Sequence, residues 1–377
     1  MSAGRIRVLH CIETLESGGV ERRRLSLVKL LDKERFEIRI ICTRISGPFA
    51  EQFEKEGIPI IEVGKLTNSF KKEVHRNVRK VIREFKPHII HGAVFEGVTM
   101  AALNGFRCSV PIRIIEETSD PQNRSKKASL FLRLLTMLTH KVVAISPSVR
   151  AYLTGQAKIP EHKVYLINNG VDPPRAVSLV EVQQLKTALG ISDQDFVIGS
   201  AGRIRDNHKA FSDLIKAMDL LRSYDHIKLI IVGEGPDREM LTTMVADMGL
   251  SDRVLWPGYQ NDMAPYYEVM DVFAIVSNRE GFGLVAAEAM LHELPVIATN
   301  VGGLGTIVQS GETGFLVNRK SPDQIASNLK KFLEDATLVA SMGQKGKLRA
   351  QAEFSAEVYV NKVRDLYEDL LKKKRLI

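Results

Sequence analysis

Val272-Phe-Ala-Ile-Val276, Ser277-Asn-Arg-Glu-Gly-Phe-Gly283, Leu284-Val-Ala-Ala-Glu-Ala-Met-Leu-His292 and Pro295-Val-Ile-Ala298 follow one another almost without a break. The first segment is a short apolar run, long enough for a buried strand and too short for a helix. The second holds two glycines and polar residues, as a loop does. The third has helical spacing, and the fourth is again a short apolar run. A strand that returns as a parallel neighbour through a helix is a βαβ unit.

The same alternation extends in both directions from this unit. Apolar runs at Phe196–Ala201, Lys228–Val232, Arg253–Trp256 and Phe315–Val317 are joined by helical patterns at Ala210–Leu221, Asp237–Met248, Met263–Met270 and Pro322–Leu333. The first half repeats the scheme. Its runs are Arg7–Ile12, Glu37–Thr43, Pro59–Val63, His88–His91, Ile112–Glu116, Lys141–Ile145 and Lys163–Ile167, and its helical patterns Val20–Leu31, Lys72–Phe85, Gly97–Asn104 and Ser125–Leu138. Strand and helix alternating twice over specify an α/β protein with two doubly wound parallel sheets. The turn-rich Asn168-Asn-Gly-Val-Asp-Pro-Pro174 marks the junction. The expected domains are therefore 1–172 and 173–355, with a C-terminal helix at about 356–377 that packs back on the first.

Composition agrees with a globular chain of two domains: 377 residues, 44 % hydrophobic and 26 % charged. The apolar stretch Ala128–His140 is interrupted by Arg133 and falls short of the ~20 residues that span a bilayer. The N-terminal run is too short and polar for a signal-peptide core. Cys11, Cys42 and Cys108 lack metal-ligand spacing and read as free thiols. The expected location is cytoplasmic, or peripheral on the inner face of the membrane.

Charge is unevenly divided. Residues 1–175 carry 30 Lys and Arg against 18 Asp and Glu, a net +12, and the remainder carries −4. Such asymmetry suggests an anionic partner for the first half. Lys65–Lys86 and Gln122–Lys141 hold the densest basic stretches, the second joined to Leu130, Phe131, Leu132, Leu134, Leu135 and Leu138. They read either as solvated faces or as contacts with an anionic membrane surface. With aromatics at 6 % and no recognition helix, nucleic acid is not expected as a partner.

Ligands of open parallel sheets bind outside the carboxyl ends of the strands. In the second half those ends carry Gly202-Arg203 with Lys209, Gly233-Glu-Gly235, Gly258-Tyr259, Glu280-Gly281-Phe282-Gly283-Leu284 and Gly302-Gly303. Glycines admit close backbone approach, and the helix from Leu284 offers unpaired N–H groups to an anion. Arg203 and Lys209 add the positive charge that a diphosphate needs. Glu280 and Glu288 lie two helical turns apart and act as separate hydroxyl acceptors. Asp193-Gln-Asp195 precedes a strand and reads as a turn, and no cluster has metal-ligand spacing.

Glu280-Gly-Phe-Gly-Leu-Val-Ala-Ala-Glu288 resembles the Glu-x7-Glu signature of retaining glycosyltransferases of the GT-B fold, family 4. The resemblance continues through Gly18-Gly19, Ala144-Ile-Ser-Pro-Ser148, Asn169-Gly-Val-Asp172, Gly202-Arg203, Gly233-x-Gly235 and Pro295-Val-Ile-Ala298. It implies two Rossmann-like domains facing across a cleft, and transfer of a sugar from a nucleoside-diphosphate sugar, a UDP-sugar above others. The acceptor is implied to be a hydroxyl of a glycan or lipid-linked molecule in envelope polysaccharide or glycolipid synthesis, with no cofactor and no metal. Arg203 and Lys209 would hold the diphosphate and Glu288 the ribose. Glu280 and the amides of Gly281 to Leu284 would meet sugar and phosphates, with Gly18-Gly19 opposite them. The leaving phosphate oxygen itself accepts the acceptor's proton in the mechanism proposed for the family.

Several positions depart from that pattern. His91-Gly92-Ala93 stands where many members have His-x-His, and Glu116-Glu-Thr-Ser-Asp120 where many have a histidine. Arg203 and Lys209 are six residues apart instead of five, Ala210 replaces a common Gly, and Thr306 a common Glu. His91, Glu117 and Asp120 are the acceptor-side candidates, with His91 readable equally as a core histidine. Two other functions fit the same fold: a nucleotide-sugar 2-epimerase, and a non-catalytic sugar-nucleotide or glycan-binding protein.

Overall fold

The computed structural model describes residues 5–16, 18–119 and 124–377, and the chain divides into two compact units. Unit 1 comprises 1–170 and 356–377, and unit 2 comprises 171–355. The boundary falls two residues before the expected one. Val171 donates its N–H to the Phe354 carbonyl at 2.8 Å and bridges Ser355, which ties it to unit 2.

Unit 1 is built on strands β1 (Ile6–Cys11), β2 (Phe36–Cys42), β3 (Ile60–Glu62), β4 (Ile89–Ala93), β5 (Ile112–Glu117), β6 (Lys141–Ala144) and β7 (Val164–Leu166). All pair in parallel, in the order β3-β2-β1-β4-β5-β6-β7. Its helices are α1 (Gly19–Leu30), α2 (Phe49–Lys55), α3 (Lys72–Phe85), α4 (Val94–Arg107), α5 (Lys126–Met137) and α6 (Pro147–Thr154). The strand order reverses direction between β1 and β4, so the crevice at that switch point opens at the carboxyl ends of these strands.

Unit 2 repeats the plan with β8 (Phe196–Ala201), β9 (Ile227–Val232), β10 (Val254–Gly258), β11 (Val272–Ile275), β12 (Val296–Thr299) and β13 (Gly314–Val317). Their order is β10-β9-β8-β11-β12-β13, again parallel, with the switch point between β8 and β11. The helices are α7 (Leu179–Leu189), α8 (Asp206–Lys209), α9 (Phe211–Leu220), α10 (Arg238–Asp247), α11 (Ala264–Glu268), α12 (Leu284–Leu291), α13 (Leu304–Ile307), α14 (Pro322–Glu334) and α15 (Ala336–Phe354).

The last helix, α16 (Ala356–Lys373), belongs to unit 1. Tyr359, Val360, Val363, Leu366, Tyr367, Leu370 and Leu371 lie on one face at helical spacing, and all are buried with β1, β2 and α1 in one apolar cluster. Cys11 and Cys42 are buried free thiols, and no described helix is long and apolar enough to cross a membrane.

Candidate active site

The carboxyl edge of unit 2 is a set of loops stitched to one another through the backbone. The Gly233 N–H donates to the Gly258 carbonyl at 2.9 Å, Ile204 N–H to Glu234 at 2.9 Å, Asn278 N–H to His208 at 2.7 Å and Gly303 N–H to Glu280 at 3.1 Å. Five strand ends thereby become one rigid rim. Gly202, Arg203, Lys209, Gly233, Gly235, Gly258, Tyr259 and Glu280 to Leu284 all lie along it.

Two of these glycines are required by packing as well. A Cβ on Gly233 would lie 2.0 Å from the Gly202 carbonyl oxygen, and one on Gly235 would lie 2.2 Å from that of Ile204. They make room for the neighbouring loop before any ligand is considered. The Phe282 side chain is buried and packs edge-on against Phe354 at 5.6 Å, while the family resemblance assigns its amide, not its ring, to the ligand. Only its backbone is available to a donor.

The charged groups form a compact set. Lys209 Nζ donates to Glu280 Oε2 at 2.5 Å, and both side chains are partly exposed. Arg203 is exposed and forms no ion pair among the described residues. No side chain caps α12, whose first turn starts from Gly283 at φ +105°. Its N–H groups therefore point into the rim. Glu288 lies one turn further along α12 and accepts from the Tyr267 hydroxyl at 2.9 Å.

Two residues that the sequence reading passed over complete the set. Arg279 Nη2 donates to His208 Nε2 at 2.7 Å. The His208 pKa is lowered by partial burial and by the charges of Arg279, Arg205 and Lys209. Arg279, Arg205 and Lys209 thus lie near one imidazole, with Glu280 among them, and such a group of cations suits an anion.

The carboxyl edge of unit 1 is filled from within. Glu116 at the end of β5 accepts from Arg23 Nη1 at 2.5 Å and from Arg24 Nη2 at 2.6 Å, and all three side chains are almost wholly buried. Arg24 also donates to the Tyr359 hydroxyl at 2.9 Å and, at 3.4 Å, to His91 Nε2. His91 must then carry its proton on Nδ1, which lies 2.7 Å from the Tyr367 hydroxyl. Burial would raise the Glu116 pKa, but the two guanidiniums win and hold it at about 2. His91 is driven well below its ordinary value by burial, then by Arg24 and Arg23.

Of the two readings of His91, acceptor-side candidate and core histidine, its burial and its bond to Tyr367 favour the second, which ties β4 to α16. Part of the basic charge of the first half is likewise internal. Glu117 is nearly buried, accepts from the Ser119 hydroxyl at 2.7 Å and is ion-paired with Arg124. It forms the polar end of a cavity of about 210 Å³ whose apolar walls include Val94, Phe95, Val98, Phe131, Leu132 and Leu135. Asp120 lies outside the described residues. Gly18 caps the N-terminus of α1 with extended backbone, and Gly19 opens that helix, so both sit at the β1 switch point of unit 1. Among the described residues no group of three or more His, Cys, Asp or Glu side chains is placed to hold a metal ion.

Residues 17–175 match the family model Glycosyltransferase Family 4, and residues 181–349 match Glycosyl transferases group 1. The chain is a GT-B glycosyltransferase of family 4. Among its relatives is the N-acetyl-alpha-D-glucosaminyl L-malate synthase of Bacillus anthracis, 29 % identical over 56 % of this chain. That match spans just over half of the relative, 55 % of its length. The UDP-Gal:alpha-D-GlcNAc-diphosphoundecaprenol alpha-1,3-galactosyltransferase of Escherichia coli is 24 % identical over 97 % of this chain and 98 % of its own. Among solved structures, Anabaena HepE in complex with UDP and glucose superimposes with a TM-score of 0.85 at 20 % identity, covering 97 % of this chain and 99 % of that one.

The departures from the family pattern fall in both units: Ala93 and the Glu116 to Ser119 stretch in unit 1, and the Arg203 to Lys209 spacing, Ala210 and Thr306 in unit 2. The Glu116 that stands near the usual histidine position is spent on two buried arginines. Thr306 is partly buried, and its carbonyl accepts from Arg349 Nη2 at 2.7 Å.

Proposed function

We propose that this glycosyltransferase moves a sugar, with retention, from a UDP-sugar to a hydroxyl of a glycan or lipid-linked acceptor used in envelope polysaccharide or glycolipid synthesis. The observation that carries the reading is the rim of unit 2. Exposed Arg203, the Lys209–Glu280 pair and the uncapped start of α12 all belong to the loops of that rim, and Glu280 and Glu288 are the acceptors proposed for hydroxyls. Charge on the departing diphosphate grows as the sugar–phosphate bond breaks, and preformed cationic groups stabilise that state more than the ground state. Lys209 leaves Glu280 for the phosphate as the donor enters, which frees Glu280 for the sugar. Arg279 and His208 reinforce the same field. These side chains supply the positive charge, and no metal or other cofactor is part of the reading. The relative acting on a diphosphoundecaprenol-linked sugar and the neighbour crystallised with UDP and glucose support the choice of donor and acceptor class.

The acceptor is assigned to unit 1, at the inner face of the membrane. Lys126 and Lys127 are exposed at the start of α5, and Leu130, Leu134 and Met137 follow on one face, 57, 52 and 69 % exposed. Exposed apolar residues beside bases suit an anionic bilayer surface.

Incubation with UDP-, GDP- and ADP-sugars, with and without extracts of lipid-linked glycans, tests the reading. Nucleotide release that requires both a UDP-sugar and an acceptor, with the anomeric configuration retained, is the expected result. A changed sugar without acceptor identifies an epimerase. Donor-induced thermal stabilisation without turnover under any pairing identifies a binding protein.

A further inference from the structure

The outer helical layer of unit 1 carries two recesses that sugar transfer by itself does not explain. One is a groove of about 730 Å³ between α3 and α4, lined by Lys72, Arg76, Arg79 and Arg107, with Glu73 the acid at its edge. Its floor is built from buried polar side chains. Asn104 Nδ2 donates to His75 Nδ1 at 2.8 Å, His75 Nε2 donates to the Ser69 carbonyl at 2.9 Å, and Asn104 Oδ1 accepts from Arg79 Nη1 at 3.2 Å. Arg79 is therefore held in position. Lys72, Arg76 and Arg107 are exposed and enter no ion pair among the described residues. Four cations around one carboxylate leave a local excess of positive charge, and forked guanidiniums suit phosphate oxygens in particular.

The other recess is the apolar cavity of about 210 Å³ between α4 and α5. A row of aromatic rings joins the two. Phe70 lines the groove and packs edge-on against Phe131 at 6.1 Å, and Phe131 stacks obliquely on Phe95 at 6.0 Å. Phe131 and Phe95 both line the cavity. Phe70 and Phe95 remain 65 and 50 % exposed, so the apolar path lies open at the surface. Contiguous exposed apolar surface on a soluble chain marks a binding face.

We propose that groove, aromatic path and cavity are one site for a single membrane lipid, with its phosphate or diphosphate in the groove and the adjoining part of its apolar chain along the phenylalanines into the cavity. Free phosphate satisfies only the groove, and an uncharged hydrophobe only the cavity. An amphiphile with the charge at the head of its chain satisfies both. The site rests on the transferase reading for one point alone, that the lipid is the acceptor or its carrier.

Calorimetric titration of the full chain with dodecyl phosphate below its micelle concentration, dodecyl maltoside and inorganic phosphate tests it. Dodecyl phosphate should bind about 30-fold or more tightly than inorganic phosphate, because several methylenes leave water. Replacing Arg76 and Arg107 together by Ala should weaken dodecyl phosphate by about tenfold or more and leave dodecyl maltoside unchanged. Ala128→Trp, at an exposed position on the cavity wall, should weaken dodecyl phosphate and leave inorganic phosphate unchanged. Equal binding of dodecyl phosphate and inorganic phosphate would overturn the site, as would wild-type affinity in both variants. Thermal stabilisation by UDP-sugars, measured on the same samples, reports on unit 2 separately. Its absence from the wild type sinks the UDP-sugar reading and leaves the lipid result standing.

Discussion

The carboxyl edges of the two units have the same topology and opposite contents. In unit 2 the charged side chains at the switch point are partly or fully exposed, and rigidity comes from backbone bonds between loops. In unit 1 the corresponding place holds Arg23, Arg24, Glu116, His91 and His10, all buried, with tyrosines of α16 closing the network. One edge leaves its charge open to solvent, and the other spends its charge on holding the last helix. A duplicated fold therefore does not imply a duplicated site.

The largest test of that contrast is removal of one carboxylate from each edge. Glu116→Gln leaves two guanidiniums buried without their counter-ion and should cost about 3–5 kcal/mol in chemical denaturation. Glu280→Gln breaks a partly exposed pair and should cost about 1 kcal/mol or less. Equal losses would mean that the two networks are not different in kind.

Acid should separate the edges next. His10 is held well below its ordinary pKa by burial, by Arg24 and by His91, and His91 by burial and the two arginines. In the unfolded chain both titrate near 6.5, so below that pH the unfolded state binds more protons and stability falls. Two such groups give a slope of up to about 2.7 kcal/mol per pH unit, and His208, His88 and His140, also lowered, add to it in the same direction. Glu116, at about 2 in the folded chain, adds a loss as pH falls from the usual carboxylate value toward 2. Unfolding free energies between pH 7.5 and 5.5 measure the histidine part. A flat profile would show that the imidazoles protonate inside the fold.

The sequence exposes these two edges unequally. Strand positions were legible because each buried strand is a short apolar run between turn formers. Helix α15 was not, because Gly343 and Gly346 interrupt its pattern, and a Cβ on Gly343 would lie 1.8 Å from the Glu293 carbonyl oxygen. That helix is placed by close packing on its neighbours, which local periodicity does not report. The rim of unit 2 was legible since its residues follow their strands directly. The network of unit 1 was hidden. Nothing in Glu21-Arg-Arg-Arg24 itself points to burial, and the partners of Arg23 and Arg24, Glu116 on β5 and Tyr359 on α16, are remote in sequence. Arg279 was likewise passed over, since only folding brings it to His208.

A smaller effect distinguishes how the two switch-point helices begin. Helix α12 starts after Gly283 at φ +105°, and α4 starts with Val94 at φ +63°. Gly283→Ala would force a side chain into a conformation that L-residues avoid and set its Cβ 2.5 Å from Leu304 Cδ2. A loss of about 1–3 kcal/mol is expected, together with weaker UDP-sugar binding. Wild-type stability would show that the rim tolerates rearrangement. Val94 already bears such strain beside the cavity of unit 1, so the same backbone device is present there without glycine.

The smallest effect concerns Glu288, which the transferase reading assigns to the ribose hydroxyls. Its carboxylate accepts from the Tyr267 hydroxyl at 2.9 Å, which aims it without neutralising it. Hydrogen bonds to a charged acceptor are worth about 1.5–3 kcal/mol when buried, and less on a rim that water reaches. Glu288→Ala should therefore weaken donor binding by about tenfold, read as donor KM, with little change in kcat. Tyr267→Phe should give a smaller change in the same direction, because the carboxylate remains but loses its guide. The order of the two variants carries the test. If Tyr267→Phe matches or exceeds Glu288→Ala, the carboxylate serves the packing of α11 against α12, and the ribose acceptor must be sought elsewhere on the rim.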